Sequence, residues 1–350
     1  MEVVNFQSCA VLDNKAWFVT VENHFMCMDL NTGESHYVMP KGNRNFYNVV
    51  DAMVTIGNEI YWADQNGSRL LSYQLDSEMC KTYAINHVKV QNYVAFSLIV
   101  KWRNSIILVP KYTDKILIFD TRKKSFTERC GIFTKYIDHG KDGYVNHAFS
   151  HDKYIYILLS DNCTALRYSM DTDEISTVER NGLKRDILGS YWCEDVMYVL
   201  DSDGNVMSVN SHFEIIRIFT DNTSRLKDYC CLFVWGDHLV MLPSTGEEII
   251  TIHLKDAHRE TIAAPKDMVY MDNNWGKYIG YLEQKDFILI PNRKSDYFLI
   301  LDKNNFSARW IRPVCPGPGE EAQYMAYAGI DSFEKDNLQL LTEYVCLNTG

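Results

Sequence analysis

The sequence predicts an all-β protein: a seven-bladed β-propeller of four-stranded antiparallel blades, followed by a short C-terminal helical segment. Three observations carry that expectation. A short apolar phrase led by a polar residue recurs seven times; a second strand-like run follows each copy after a polar turn; and another apolar segment precedes it. With a further short strand after many of the second runs, each unit supplies about four strands, the content of one propeller blade.

The opening phrases are NKAWFVTV from Asn14, NEIYWAD from Asn58, NSIILVPK from Asn104, KYIYILLSD from Lys153, DVMYVLDSD from Asp195, DHLVMLPS from Asp237 and KDFILIPN from Lys285. Successive starts lie 44, 46, 49, 42, 42 and 48 residues apart. The second strands read HFMCMDL, SRLLSYQL, DKILIFD, TALRYSM, GNVMSVN, EEIITIHL and DYFLILD, and their alternation predicts half-buried strands. Third strands follow at SHYVM, SFTER and SARWI, while VVDAMVTI, YVAFSLIV, VNHAFS, ILGSYW, YCCLFVW and YIGYL precede the phrases. Asn66-Gly67, Asp203-Gly204 and Thr32-Gly33 suit the positive φ of tight reversals. One four-stranded sheet would leave an apolar face in water, whereas radial stacking buries each sheet against the next.

The pattern assigns residues 1–316 to the propeller and 317–350 to a closing or bracing segment. Pro313, Pro316, Gly317, Pro318 and Gly319 break the strand pattern. Asp331-Ser332-Phe333-Glu334 then reads as a capping box, with Phe333, Leu338, Leu341, Tyr344 and Val345 on the apolar side of a short helix.

Across most of the chain this four-strand grammar resembles that of kelch-like and related propellers. The sharper signatures of those families are absent: no recurrent Gly-Gly with spaced Tyr and Trp, and no Gly-His and Trp-Asp blade ends, for which Trp235-Gly236-Asp237-His238 does not substitute. The resemblance implies the fold and a protein-recognition platform, and it transfers no catalytic residue.

Composition narrows the function classes. At 46% hydrophobic the chain can bury a sizeable core, and its net charge of -11, from 46 acidic and 35 basic residues, argues against a phosphate-backbone (nucleic-acid) binder. No apolar run reaches membrane-spanning length and no secretory leader is visible, so no membrane partner is expected. The ten cysteines are scattered without a CxxC, and several sit in apolar runs; this predicts a reducing compartment, the cytoplasm.

Local motifs for chemistry are missing. His139, His147 and His151, beside Asp138, Asp142 and Asp152, lie in extended text without the helical HExxH spacing and read as loop polarity or isolated hydrogen bonding rather than a metal site. SDNC at Ser160 and DSDGN at Asp201 lack the ligand ladder of a calcium loop and read as strand reversals. No GxSxG, GxxxxGK[ST] or GxGxxG occurs, so no cofactor or metal is predicted and enzymatic activity is left open.

Strand polarity brings the turns inside the units and the linkers between units to one end. Tyr47, Tyr112, Tyr144 and Trp275 are the candidate aromatic anchors there, with Arg44, Lys111 and Arg293 to orient an acidic partner. The expected function is a non-catalytic protein-recognition scaffold or accessory subunit using this face. The alternatives are a glycan hydrolase or lyase with convergent residues at the mouth, or a propeller that binds a carbohydrate or small molecule. The sequence carries no signal for oligomeric state.

Overall fold

The computed structural model describes residues 6–20, 24–42, 49–64, 67–86, 88, 95–136, 144–159, 164–179, 183, 186–220, 226–245, 248–270, 277–278, 280–314 and 316–328. Blade 1 comprises β1 (Phe6–Leu12), β2 (Lys15–Thr20), β3 (Phe25–Asp29) and β4 (Ser35–Tyr37). A two-residue strand, β5 (Lys41–Gly42), follows. Blade 2 is β6 (Val49–Ile56), β7 (Glu59–Asp64), β8 (Arg69–Gln74) and β9 (Met79–Ala84), and β5 adds to its outer edge parallel to β9. Blade 3 is β10 (Phe96–Trp102), β11 (Ser105–Pro110), β12 (Lys115–Asp120) and β13 (Ser125–Cys130). Blade 4 is β14 (Val145–His151), β15 (Tyr154–Leu159), β16 (Thr164–Ser169) and β17 (Ile175–Glu179). Blade 5 is β18 (Ile187–Cys193), β19 (Val196–Asp201), β20 (Val206–Val209) and β21 (Ile215–Ile218). Blade 6 is β22 (Tyr229–Trp235), β23 (His238–Pro243), β24 (Ile249–His253) and β25 (Arg259–Ile262). Blade 7 is β26 (Leu282–Glu283), β27 (Phe287–Pro291), β28 (Phe298–Asp302) and β29 (Ala308–Ile311), and α1 (Pro318–Ala328) follows.

Every blade is an antiparallel meander in chain order, so the seven-bladed expectation holds, with β5 as an addition. First strands adjoin one another around the axis: β1 with β6, β6 with β10, β10 with β14, β14 with β18, β18 with β22, and β26 with β1.

The recurrent phrases form the second strands, and their continuous apolar character has a direct cause. Alternate side chains enter different interfaces. On β2, Trp17 and Val19 join the cluster shared with blade 2, while Ala16 and Phe18 join the one shared with blade 7. On β11, Ile106 and Leu108 face blade 2, whereas Ile107 and Val109 face blade 4. Second strands are thus buried on both faces, and so are most third strands, such as β8 and β12. The half-buried expectation for those strands fails because each blade is sandwiched between two others. The outer fourth strands, such as β17, meet water along much of their length, and axial first strands such as β18 are half-buried over most of theirs.

Among the described residues, seven apolar clusters occupy the seven gaps between neighbouring blades. Complete burial of one large apolar side chain contributes roughly 1.5–3 kcal/mol, so these clusters dominate the stability. The last gap closes the ring. Phe18 of blade 1 packs on Phe298 of blade 7 with ring centroids 5.5 Å apart, and Met26, Met28, Leu289 and Ile300 complete the cluster.

Among the described residues, no strand is exchanged between the first and last blades. The seam is sealed instead by the segment after β29. Val314 forms a parallel bridge with Glu34; its N–H donates to Gly33 O at 2.8 Å, and its carbonyl accepts the Ser35 hydroxyl at 2.5 Å. Arg309 donates to Leu30 O at 3.0 Å. The chain then enters α1, which lies on blade 1. Tyr324 stacks on Tyr37 at 4.7 Å and its hydroxyl accepts the Phe25 N–H at 3.0 Å. Glu320 accepts the Tyr37 N–H at 2.9 Å, and the Tyr327 hydroxyl donates to Pro40 O.

The helix begins earlier than the capping-box reading of Asp331 to Glu334 would place one; that box and its apolar face lie outside the described residues. Pro318 is tolerated in the first turn because its missing N–H would have no helical partner. Gly317 O accepts the N–H groups of Glu320 and Glu321 at 3.0 and 3.2 Å, and both carboxylates lie at the positive end of the helix dipole. No helix among the described residues is long and apolar enough to cross a membrane.

Gly33 is the tightest point of the seam. It has φ +79°, and an added Cβ would meet Arg312 O at 2.7 Å. Gly33→Ala is expected to lose about 1–3 kcal/mol of unfolding free energy in urea denaturation. Gly57→Ala, at φ +57° with nothing within 4 Å of the added carbon, is expected to show only the smaller backbone part. Equal losses at both positions would contradict the close approach.

Candidate functional site

Antiparallel meanders put the turns between second and third strands at the same end as the linkers between blades. Backbone hydrogen bonds stitch these two sets into a belt. The residue just after several second strands donates its N–H to the linker that enters its own blade: Lys111 to Ala95 O at 2.9 Å, Ser202 to Asp186 O at 2.8 Å and Ser244 to Asp228 O at 2.6 Å. The next linker then donates back, Tyr144 and Val145 to Lys111 O at 3.1 and 3.2 Å, and Lys277 to Ser244 O at 2.8 Å. Arg293 continues the series with an N–H to Lys277 O at 2.6 Å. Buried polar groups brace the same end. Lys115 donates to Asn86 O at 2.9 Å and Glu128 at 3.0 Å, Asp64 accepts from Arg69 at 2.6 Å, and Asp296 accepts from Arg312.

Lys111, Tyr144 and Arg293 are half-buried on this belt. Tyr112 is buried, 8% exposed, with the Lys111 ammonium 5.7 Å from its ring centroid, so its side chain supports the turn. Tyr144 lies 6.2 Å from the Phe133 ring. Tyr47, Trp275 and Arg44 lie outside the described residues.

A second feature lies on the axis, where the first strands of blades 3, 4, 5 and 7 enclose a cavity of about 380 Å³. The two described members of the histidine cluster line it. His147 and His151 occupy the same face of β14, in line with the extended reading of this stretch and with hydrogen bonding rather than loop polarity as the role of His147; His139 lies outside the described residues. His147 Nε2 is 3.0 Å from Ser190 Oγ of blade 5, and His151 stacks on Trp192 at 4.3 Å. Burial lowers the His151 pKa below 6.5, against the opposing pull of Asp152 and Asp195. On the other wall, the Tyr191 hydroxyl donates to Glu283 of blade 7 at 3.2–3.3 Å, and Lys303 reaches the same carboxylate at 2.5 Å. Burial, then the neighbouring Glu283, pushes the Tyr191 pKa up, so its phenol keeps its proton.

Sequence reasoning missed Ser190, Tyr191, Trp192, Tyr281 and Glu283. The signal for the first four was membership of the apolar segments ILGSYW and YIGYL before the phrases, and Glu283 directly follows the second of these. Among the described residues, no group of three His, Cys, Asp or Glu side chains is arranged to hold a metal ion. The described cysteines Cys9, Cys27, Cys80, Cys130, Cys193, Cys230 and Cys231 are free thiols.

Comparison with known proteins agrees on architecture. No family model and no curated protein matches the chain. Among solved structures it is similar to the computationally designed Ika8 protein, with a TM-score of 0.54 and 11% identity over 88% of this chain and 87% of that one. It is also similar to BamB from Moraxella catarrhalis, with a TM-score of 0.51 and 11% identity over 89% and 84% of the two chains. What is shared is the propeller fold.

A titratable clamp ties two turns of blade 6. His253 Nδ1 lies 2.7 Å from Asp256 and Nε2 lies 3.2 Å from Asp237, which also meets His238 at 2.6 Å. The Asp256 bond, more than the Asp237 one, raises the His253 pKa above 6.5. The His258 N–H and His253 hold Asp256 down to about 2. The raised imidazole contributes stability that is fully present below pH 6.5 and fades as pH rises through its folded pKa. Asp256 contributes above its ordinary 3.8 and loses that contribution as pH falls towards about 2. An NMR titration is expected to give a His253 midpoint above 6.5 that falls in Asp256→Asn; an unchanged midpoint in the variant would remove the clamp.

Proposed function

We propose that this chain is a non-catalytic protein-recognition scaffold or accessory subunit that engages another protein through the stitched rim. The observation that carries the reading is the set of backbone hydrogen bonds that joins described turns and linkers at blades 3 to 7. A surface whose backbone is already fixed loses little conformational freedom on docking, so more of its contact energy appears as affinity. Tyr144 supplies apolar area with a polar edge, and Lys111 and Arg293 orient an acidic partner. Tyr112 holds Lys111 from beneath. Tyr47, Trp275 and Arg44 are assigned to the same surface on sequence grounds. A cytoplasmic location, drawn from cysteine usage, belongs to this proposal.

The test is affinity purification from the native cell with wild type and with a Lys111→Glu/Arg293→Glu double variant, each checked for an unchanged far-UV spectrum. A partner held by the wild type is expected to be recovered about tenfold less by the variant. Ile216→Lys/Ile218→Lys is the comparison, since those side chains are 57% and 56% exposed on β21 at the outer edge of blade 5. Loss there, with recovery by the rim variant intact, would move docking to the blade edge and overturn the rim reading.

A further inference from the structure

The axial cavity has a chemistry of its own, separate from the rim. Its volume of about 380 Å³ lies in the range of small-molecule sites. Asp152, in the turn after β14, marks the end opposite the stitched rim, and its side chain is 78% exposed.

Charge narrows the ligand. Glu283 is the acidic group on the inner wall, and Lys303 already compensates it at 2.5 Å, while also donating to Gln284 O at 2.9 Å. Asp152 sits in solvent, 3.5 Å from His151, whose lowered pKa leaves it neutral near pH 7. An anionic ligand would meet Lys303 only by displacing it from Glu283, and a cationic one would meet Asp152 only at the solvent-exposed end of the cavity, where water screens the pair. What the wall offers is neutral hydrogen bonding: Ser190 Oγ beside His147 Nε2 on one side, and on the other the lone pairs of the Tyr191 phenol, whose O–H donates to Glu283.

These polar groups alternate with flat apolar surface. Trp192 and Tyr281 line the cavity with Leu98 and Phe149. A ligand matching both parts needs hydroxyl groups at its edge and an apolar face of C–H groups. Pyranose rings have that division, and aromatic side chains suit their faces as hydroxyl and imidazole groups suit their edges. We infer that the axial cavity, bounded by His147, Ser190, Tyr191, Trp192, Tyr281 and Glu283, is a binding site for a neutral saccharide of one or two rings. The site holds its ligand by hydrogen bonds from blades 4, 5 and 7 and by contact with the indole of blade 5. It is independent of the protein-recognition reading, since none of these side chains belongs to the rim belt.

The experiment uses the full chain in saturation-transfer NMR and calorimetry. The probes are glucose, galactose, mannose, N-acetylglucosamine, maltose, cellobiose and lactose, compared with adenosine, spermidine and inorganic phosphate. At least one saccharide is expected to bind, with Ser190→Ala and Glu283→Gln each weakening it about tenfold, the effect of losing one buried hydrogen bond to the ligand. Trp192→Ala is expected to abolish the signal, but its ring also stacks on His151 and Tyr156, so the two polar variants decide if it fails to fold. Lys111→Glu is expected to leave saccharide binding unchanged. The inference is overturned if no saccharide binds at about 10 mM, if binding survives both polar substitutions, or if only adenosine, spermidine or phosphate binds.

Discussion

The packing of blade 7 on blade 1 is the constraint on which the rest of the molecule depends. Six of the seven interfaces form between units adjacent in sequence, but the seventh joins residues far apart in the chain, such as Leu30 and Arg309 with a separation of 279. Loop-closure entropy opposes that contact, and among the described residues no exchanged strand ties the first and last blades together. Side-chain burial between Phe18 and Phe298, the Val314 bridge to Glu34, and the docking of α1 on blade 1 supply the closure. Once the ring is shut, the first strands surround one axis and the turns and linkers meet at one rim. Both candidate sites are consequences of that geometry.

The two sites differ in what holds them. Among the described rim residues, main-chain groups bond to one another, so the bonding there depends little on which side chains point outward. The axial cavity is made of side chains from separate blades, held by cross-blade pairs such as Tyr191 with Glu283 and His147 with Ser190. The two candidate sites share no residue and so can serve two ligands of different chemistry.

Much of the architecture was legible because strands sandwiched between blades carry almost no polar residues. AWFVT, IYWAD and IILVP announce themselves as buried strands, and the 42- to 49-residue spacing of their unit starts gives the blade count. The turns were only partly legible. Gly33, Gly67 and Gly204 do take positive φ, but so do Glu78, Lys124, Asp173, Phe213, Ala257 and Phe306. In several of these reversals the backbone is held by an Asx acceptor just before the turn: Asp29, Asp120, Asn210 and Asp302 each accept two nearby N–H groups. The start of α1 was concealed because Pro316 to Gly319 break a strand and open a helix with the same residues. The axial site left no local motif, since His147 lies 43 residues from Ser190 and Tyr191 lies 92 from Glu283.

Ring closure can be tested by amide hydrogen exchange on Phe298→Ala, which empties the blade 7 side of the seam. Because the deleted ring packs on Phe18, faster exchange is expected jointly in β26–β29 and in β1–β3, at opposite ends of the chain, while β10–β17 keep wild-type protection. Acceleration confined to β26–β29, with β1–β3 unchanged, would contradict the closed ring and with it the origin of both sites.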